Sequence, residues 1–246
     1  MNPLASPRTV GILAGMGPAA GVDFARLFVA ACEDWLRGHG RPVCDQAYPA
    51  HWMAQLPIAD RTRALTDAAA PQPLEAMAQG LAQLAGLGAR AVAMPCNTAH
   101  AWHAALQERV PQVELLHMPQ ETAAALRRQG LSRVALLATQ GSYRIGLYAQ
   151  AFADHGIECL LPDAQARDWL MQGIYDGVKS GDLALAQQRF VAVGEQLRSQ
   201  HGDIALAMAC TEIPLALPQA PEARGWTLID PAAILAAALA RRAYGG

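Results

Sequence analysis

AVAMPCNT at residues 91–98 returns in altered form as ALAMACTE at residues 205–212. Each copy is an apolar run that ends in a cysteine followed by two polar residues, and the two cysteines are Cys96 and Cys210. The repeat predicts two similar halves that face each other, with one cysteine on each wall of a shared cleft. Two thiols placed in this way suit the removal and return of a proton on opposite faces of one carbon.

A second internal similarity supports a duplicated sequence, because VGILAGMG at residues 10–17 aligns with VALLATQG at residues 134–141. Short apolar runs alternate with helical patterns, which is typical of parallel sheets with helices on both faces. We therefore predict an α/β fold of two pseudo-symmetric lobes, each a mostly parallel sheet flanked by helices, with the active site in the inter-lobe cleft. Strands are predicted at residues 10–14, 43–48, 91–94, 113–117, 134–138, 157–161, 204–209 and 226–229. Helices are predicted at residues 18–37, 74–84, 98–109, 120–129, 183–198 and 231–244.

The division into lobes follows the two cysteines. We predict that lobe one comprises residues 1–105 and 218–246, with Cys96, and that lobe two comprises residues 106–217, with Cys210. The last predicted helix starts with a proline, which favours the first position of a helix, and it is long enough to pack back on lobe one. Lobe one is therefore expected to be discontinuous in sequence.

The composition narrows the classes of protein. The chain has 246 residues, of which 52% are hydrophobic and 16% are charged, enough apolar material for a sizeable core. A net charge of −2, without a basic run interleaved with aromatic residues, argues against nucleic-acid binding. We find neither an apolar leader nor a run long enough to span a membrane, so we expect a cytoplasmic protein with no membrane partner. The five cysteines form no CxxC pair and are expected to be free thiols.

Polar residues follow each of the paired cysteines at the carboxyl edge of a predicted strand, where open parallel sheets bind ligands. Asn97 and Thr98 follow the first cysteine, and Thr211 and Glu212 follow the second. A helix that begins there directs backbone N–H groups at the cysteine, which favours a thiolate and a bound carboxylate. One cysteine in such a place is more often a small core residue, whereas two at matched places favour the catalytic interpretation.

Two basic residues are candidates for binding a substrate carboxylate. Of the 19 basic side chains 18 are arginine, and the single lysine, Lys179, indicates a need for a compact ammonium, although chance on a solvated turn explains it equally well. Arg61 lies in an irregular segment beside Asp60 and has the planar fork that binds a carboxylate through two hydrogen bonds. A solvated ion pair with Asp60 is the simpler alternative for Arg61.

The turn after the first predicted strand allows two explanations. GxGxxA at residues 15–20 fits the dinucleotide-binding pattern, but no acidic residue ends a second strand about 20 residues further on. Pro18 instead starts a helix whose N-terminus, with the amides of Met16 and Gly17, can hold a small anion. Thr139 occupies the equivalent place in the second half and offers its hydroxyl to the same ligand.

A metal site is a further alternative, because Cys96, His100 and His103 have the spacing of one helix face. No acidic residue or second cysteine follows at ligand spacing, so we expect no metal. His117 follows an apolar strand and is expected to be a hydrogen-bonded histidine of the core or its rim.

Taken together, the motifs resemble the aspartate/glutamate racemase family nearly from end to end. The cysteine motifs are specific to that superfamily, and the others resemble its aspartate racemase branch more than glutamate racemase, hydantoin racemase, maleate isomerase or arylmalonate decarboxylase. The resemblance implies two α/β lobes, an isomerase that needs no cofactor, and usually a homodimer. The motifs are GMGP at residues 15–18, DRT at 60–62, MPCNTAH at 94–100, TxGxY at 139–143, IYxxVKxG at 174–181 and ACTEIPL at 209–215.

The resemblance also implies roles for individual residues. Cys96 and Cys210 are implied as the acid/base pair of an amino-acid racemase whose substrate is a small dicarboxylic amino acid, aspartate first and glutamate as the alternative. Arg61 and Lys179 are implied to bind the substrate carboxylates, and Glu212 either to assist the second cysteine or to bind the ammonium. The residues implied to hold the α-carboxylate and ammonium are Asn97, Thr98, Thr139 and Thr211.

The sequence departs from the family's pattern at Ala14, at Ala59 and at residues 51–54, where HWMA replaces a polar stretch. We expect the tryptophan and the methionine of this stretch to lie beside the side-chain pocket and to narrow it. Three other functions therefore stay open. They are a maleate-isomerase-like cis-trans isomerase that uses one cysteine for covalent addition, a non-catalytic protein that binds small acids, and a nucleotide-binding oxidoreductase.

Overall fold

Two four-stranded parallel sheets form the framework of the protein, whose computed structural model describes residues 6–245. The strands are β1 Val10–Ala14, β2 His51–Gln55, β3 Ala91–Ala93, β4 Glu114–Leu115, β5 Arg133–Ala138, β6 Glu158–Leu160, β7 Leu206–Ala209 and β8 Leu228–Ile229. Their order is β2-β1-β3-β4 in the first sheet and β6-β5-β7-β8 in the second, which is the same topology twice. This repetition confirms the predicted α/β fold of two pseudo-symmetric lobes.

Helices flank both sheets. They are α1 Pro18–Gly38, α2 Arg61–Thr66, α3 Leu74–Gly86, α4 His103–Arg109, α5 Met118–Arg128, α6 Gln140–Arg144, α7 Leu147–Asp154, α8 Ala164–Gln172, α9 Leu183–His201 and α10 Pro231–Tyr244. Several short turns of 3₁₀ helix connect them, and the segment Gly173–Gly177 forms a π-helical turn after α8. Among the helices of residues 6–245, none is both long and apolar enough to cross a membrane.

β3 and β7 have equivalent inner positions in their sheets. β1 lies between β2 and β3, with Gly11 opposite Trp52 on one side and Val92 on the other. β5 has the same position between β6 and β7. Both central strands are apolar and buried, as expected of strands covered by helices on both faces. The chain that leaves β3 and β7 therefore enters the middle of the carboxyl edge of each sheet.

The strand predicted at residues 43–48 is wrong. That segment contains only a short 3₁₀ turn, Asp45–Ala47, and the second strand is His51–Gln55. β2 pairs only with β1, so it is an edge strand, and its residues are exposed or half-buried. A search for apolar runs misses such a strand, because an edge strand on the rim of the core does not need to be apolar.

The C-terminal helix packs against the first sheet. The Asp230 side chain accepts a hydrogen bond from the Ala232 N–H at 2.8 Å and caps α10, whose first residue is Pro231. Leu235 and Leu239 of α10 pack in one apolar cluster with residues of β1, β3 and α1. Burial of each such leucine contributes about 1.5–3 kcal/mol, which ties the end of the chain to its first strand.

Strand pairing moves both predicted lobe crossings towards the C-terminus. β4 pairs with β3 in the first sheet, although we assigned residues 106–217 to lobe two. β8 pairs with β7 in the second sheet, although we assigned residues 218–246 to lobe one. Sheet membership is set by which strands pair, and turn-forming residues in the sequence do not report it. We therefore propose that the chain crosses between the lobes just before α5 and again just before α10.

Gly15→Ala is predicted to destabilise the protein by at least about 2 kcal/mol. Gly15 has a φ of +97°, and a Cβ there would lie 2.0 Å from the Leu56 carbonyl oxygen, which is main chain and has little freedom to move. Gly38→Ala is the control, because a Cβ at Gly38 has no neighbour within 4 Å among the described residues. Urea denaturation measures both variants, and equal midpoints would contradict the prediction.

Candidate active site

The two cysteines of the repeat line one small cavity between the lobes. Cys96 follows the end of β3 by three residues, and Cys210 follows β7 directly. Each is 6% exposed, so both thiols are shielded from bulk water. The cavity has a volume of about 20 Å³, which is room for about one water molecule. We call this cavity the inner chamber.

The structure brings nearly all the predicted site residues to this chamber. Gly17 is the exception, since it lies in a neighbouring cavity. Asp60, Thr62 and Tyr175 also line the inner chamber, although sequence reasoning gave them no role of their own. The predicted residues that line it are Met16, Arg61, Cys96, Asn97, Thr98, Thr139, Lys179, Cys210, Thr211 and Glu212.

The guanidinium of Arg61 is fixed by main-chain carbonyl groups, and the solvated pair with Asp60 is not what the structure contains. Nη1 donates to the Ile58 and Ala59 carbonyl oxygens at 3.1 and 3.0 Å, and Nη2 donates to the Met16 carbonyl oxygen at 2.7 Å. Arg61 is 7% exposed, and its buried Nε has no hydrogen-bond partner within residues 6–245. A buried N–H without a partner is costly, so this donor is suited to a bound anion.

Negative charge surrounds Arg61. Burial acts to lower the pKa of its guanidinium, but the neighbouring Cys96 sulfur and the carboxylates of Asp60 and Glu212 raise that pKa overall. Arg61 is therefore a permanent cation. This cation lies beside the Cys96 sulfur.

Cys210 has the opposite surroundings. Its Sγ donates a hydrogen bond to Oε2 of Glu212 at 3.0 Å, and the Thr211 hydroxyl donates to the same oxygen at 3.3 Å. Burial raises the pKa of Cys210 well above its usual range, and the charge and hydrogen bond of Glu212 raise it further, while Lys179 opposes them in part. The Lys179 ammonium lies 3.9 Å from Glu212. Cys210 therefore keeps its proton, so the two thiols differ in chemistry.

Hydroxyl and amide groups from both lobes form the floor of the chamber. The Thr98 hydroxyl lies 2.9 Å from that of Thr139 and 3.2 Å from that of Ser142. The Tyr148 hydroxyl donates to Oδ1 of Asn97. The buried Nδ2 of Asn97 has no partner among the described residues. Oδ1 therefore fixes the amide group, and Nδ2 is available to donate to a ligand.

Asp60 and Tyr175 join the two lobes at the mouth of the chamber. The Tyr175 hydroxyl donates to Oδ2 of Asp60 at 2.8 Å, and the Lys179 ammonium lies 4.5 Å from the centre of the Tyr175 ring. Burial acts to raise the pKa of Asp60, but hydrogen bonds from the Arg63 N–H and from Tyr175 lower it overall, so Asp60 is a carboxylate. Tyr175 belongs to the IYxxVKxG motif, four residues before Lys179, and this motif is the signal that could have placed the tyrosine in the site.

A larger cavity adjoins the inner chamber through Asp60, Arg61, Lys179 and Glu212. This outer chamber has a volume of about 330 Å³. Its other walls are the N-terminal end of α1, where no side chain caps the helix, and the apolar side chains of two residues. These remaining lining residues are Gly15, Gly17, Pro18, Ala19, Ile58 and Val178.

One expectation about the site is wrong. Residues 51–54 form β2 and line neither chamber, and Trp52 is 47% exposed at the edge of the sheet. The tryptophan and methionine therefore do not narrow the pocket. Within residues 6–245, no group of three or more His, Cys, Asp or Glu side chains is placed to hold a metal ion. His100 and His103 instead face main-chain carbonyl oxygens.

Comparison with known proteins agrees with this geometry. Residues 13–239 match the family described as Asp/Glu/Hydantoin racemase. The structure of the Picrophilus torridus aspartate racemase is similar with a TM-score of 0.81 and 30% sequence identity, over 97% of this chain and 94% of that one. The broad specificity amino-acid racemase RacX of Bacillus subtilis is 26% identical over 212 residues, 83% of this chain and 85% of RacX. The chain belongs to the Asp/Glu/hydantoin racemase family.

Membership confirms the resemblance seen in the sequence motifs and supports an isomerase. The family match also includes the GxGxxA turn, which disfavours the nucleotide-binding oxidoreductase. A glutamate racemase of Pseudomonas aeruginosa is 34% identical over 137 residues, which is 53% of this chain and 48% of that protein. The family match over residues 13–239 covers nearly the whole chain. Family membership does not by itself identify the substrate.

Glu212→Gln is predicted to lower the pKa of Cys210, because it removes the negative charge that disfavours the thiolate. At pH 8 the alkylation of Cys210 by iodoacetamide is expected to become about tenfold faster, because the thiolate is the form that reacts. Peptide-resolved mass spectrometry measures the rate, with Cys159 of the same chain as the internal reference. An unchanged rate at Cys210 would show that Glu212 does not control this thiol.

Proposed function

We propose that this protein is a cofactor-independent amino-acid racemase that uses Cys96 and Cys210 as its acid/base pair. One observation carries the proposal. Two buried thiols, one from each lobe, line the same chamber in opposite electrostatic surroundings, with Arg61 beside Cys96 and Glu212 bonded to Cys210. A racemase of this kind needs one thiolate and one thiol at the same time, and these neighbours favour that state.

In the proposed reaction the Cys96 thiolate takes the α-proton from one face of the substrate, and the Cys210 thiol gives its proton to the opposite face. Cys96 ends as a thiol and Cys210 as a thiolate, and the reverse reaction exchanges these roles. The carbanion between the two steps is stabilised as an enediolate by donors directed at its carboxylate. The unpartnered N–H groups of Arg61 and Asn97 are suited to this task.

The proposed substrate is a small dicarboxylic amino acid, with aspartate preferred and glutamate as the alternative. Asn97, Thr98, Thr139 and Thr211 are proposed to hold its α-carboxylate and ammonium, while Arg61 and Lys179 bind its carboxylates. The amides of Met16 and Gly17, at the junction of the two chambers, are proposed to add hydrogen bonds to the same anion. Because Glu212 already accepts the Cys210 proton in a hydrogen bond, we assign it to assisting that cysteine.

The relatives support this proposal. The structure at 30% identity is named an aspartate racemase, and RacX is named a broad specificity amino-acid racemase. The outer chamber adjoins the inner chamber and provides room for the side chain of a substrate. The proposal includes a homodimer, as the sequence resemblance implies, and a cytoplasmic location.

A cis-trans isomerase of the maleate isomerase type is the second candidate. It is favoured by the same asymmetry, because a thiolate beside Arg61 can add to a double bond while the Cys210 thiol supplies a proton. A covalent adduct on Cys96 with maleate, detected by mass spectrometry, would support it. Racemisation without an adduct would support the two-base reaction.

Cys96→Ala and Cys210→Ala are each predicted to reduce racemisation of aspartate by at least about 10³-fold, since each removes one acid/base group. The assay follows loss of the α-proton signal by NMR in deuterated buffer, with each enantiomer and without added cofactor. Cys159→Ala is the matched control, because Cys159 lies on β6 and lines neither chamber. Normal racemisation by Cys96→Ala would exclude the two-thiol scheme.

The same assay decides between the candidate substrates. Exchange with inversion for aspartate alone, or for glutamate alone, identifies the substrate. If the reduced wild-type protein exchanges the α-proton of no acidic amino acid, a binding protein or an isomerase becomes the better assignment. Ligand-induced thermal stabilisation without turnover would then indicate binding alone.

Lys179→Met is predicted to raise the KM for aspartate about 10- to 100-fold, because a hydrogen bond to a charged group contributes about 1.5–3 kcal/mol. The Lys179 side chain is 27% exposed and lies between the two chambers, where a substrate carboxylate would meet it. Arg63→Met is the control, since that side chain is 72% exposed and lines neither chamber. Steady-state kinetics measure the effect, and an unchanged KM would remove Lys179 from the carboxylate site.

A further inference from the structure

We propose that His100 is a positioning residue for Cys96. The Nε2–H of His100 holds the Met94 carbonyl group and thereby fixes the turn that presents the Cys96 thiol. The inference rests on the proposed function only in that Cys96 is taken to be the reacting cysteine. It also explains the spacing of Cys96 and His100 in the sequence, which neither a metal site nor the proposed reaction accounts for.

The turn between β3 and Cys96 is held by one main-chain hydrogen bond. The Cys96 N–H donates to the Met94 carbonyl oxygen at 2.8 Å, which closes a three-residue turn around Pro95. Such an i to i+2 hydrogen bond is bent and leaves the carbonyl group poorly fixed. The position of the thiol therefore depends on what else holds the Met94 carbonyl.

His100 supplies the second donor to that carbonyl. Its Nε2 lies 3.2 Å from the Met94 oxygen, and a carbonyl oxygen can only accept, so Nε2 carries the proton. The side chain is 3% exposed, and its Nδ1 has no hydrogen-bond partner among residues 6–245. The ring thus makes one hydrogen bond, and that bond is directed at the turn carrying Cys96.

The surroundings keep His100 neutral and in this tautomer. Burial lowers the pKa of His100 well below its usual value, and the nearby His117 and His103 lower it further. The His100 ring centre lies 5.3 Å from that of His117 and 5.9 Å from that of His103. His103 is itself occupied, because its Nε2 lies 2.6 Å from the Leu115 carbonyl oxygen.

The test compares three variants of the protein. His100→Leu removes the donor, His100→Gln restores an N–H at similar reach, and His103→Leu removes a histidine from the same cluster without touching the Met94 carbonyl. We expect His100→Leu to slow the alkylation of Cys96 by iodoacetamide about tenfold and to lower kcat by at least about tenfold at a similar KM, because a small displacement of a reacting group has large effects.

His100→Gln is expected to recover most of both losses, and His103→Leu to leave the Cys96 alkylation rate within about twofold of wild type. Equal losses in His100→Leu and His103→Leu, in step with their melting temperatures, would overturn the proposal in favour of a purely structural role. An unchanged Cys96 alkylation rate in His100→Leu would overturn it directly.

The alkylation rate also separates this inference from the proposed function, since it does not require turnover. A wild-type protein that racemises nothing, together with slow Cys96 alkylation in His100→Leu, would contradict the racemase and support the positioning role. Racemisation by the wild-type protein, together with an unchanged Cys96 alkylation rate in His100→Leu, would support the racemase and contradict the positioning role. Long-range ¹H–¹⁵N spectra that placed the His100 proton on Nδ1 would contradict the inference independently.

Discussion

The buried guanidinium of Arg61 is the constraint on which the arrangement of the site depends. A cation removed from water is unfavourable unless its surroundings replace the lost hydration. Here three carbonyl oxygens from two parts of lobe one accept from it, and the carboxylates of Asp60 and Glu212 supply opposite charge. The loop after β2, the turn after β1 and the second lobe must therefore meet at this point. As a consequence, Arg61 lies beside Cys96.

Pseudo-symmetry provides two equivalent thiols, and single residues then make them different. Thr98 and Glu212 occupy the same place in the repeat, two residues after each cysteine. Thr98 is a neutral hydroxyl that contacts the hydroxyl of Thr139 in the other lobe, whereas Glu212 is a carboxylate that accepts from Cys210. The fold places two thiols alike, and Glu212 in the second copy adds to burial in raising the pKa of Cys210.

Polar contacts rather than apolar packing join the lobes across the chamber. Tyr148 bonds to Asn97, Thr98 lies against Thr139, and Tyr175 bonds to Asp60. Hydrogen bonds of this kind can be exchanged with water at little net cost, whereas a shared apolar core cannot. The inner chamber is too small for a substrate while these contacts hold, so the same contacts that exclude water must open to admit a ligand.

The sequence by itself determined the repeated α/β topology, the strand that precedes each cysteine, and the bounds of α10, because apolar periodicity and the Asp230-Pro231 helix start are local signals. It also brought together Cys96, Arg61, Lys179 and Cys210 as candidates through short motifs. Only the tertiary structure decided that residues 51–54 form an exposed edge strand, that β4 and β8 join their particular sheets, and that Tyr148 and Tyr175 reach the site. These features arise from contacts between residues far apart in the chain, as for Asp60 and Tyr175, which are 115 positions apart. A local pattern holds no record of such contacts, because they form only when the packed lobes bring distant side chains within hydrogen-bond distance.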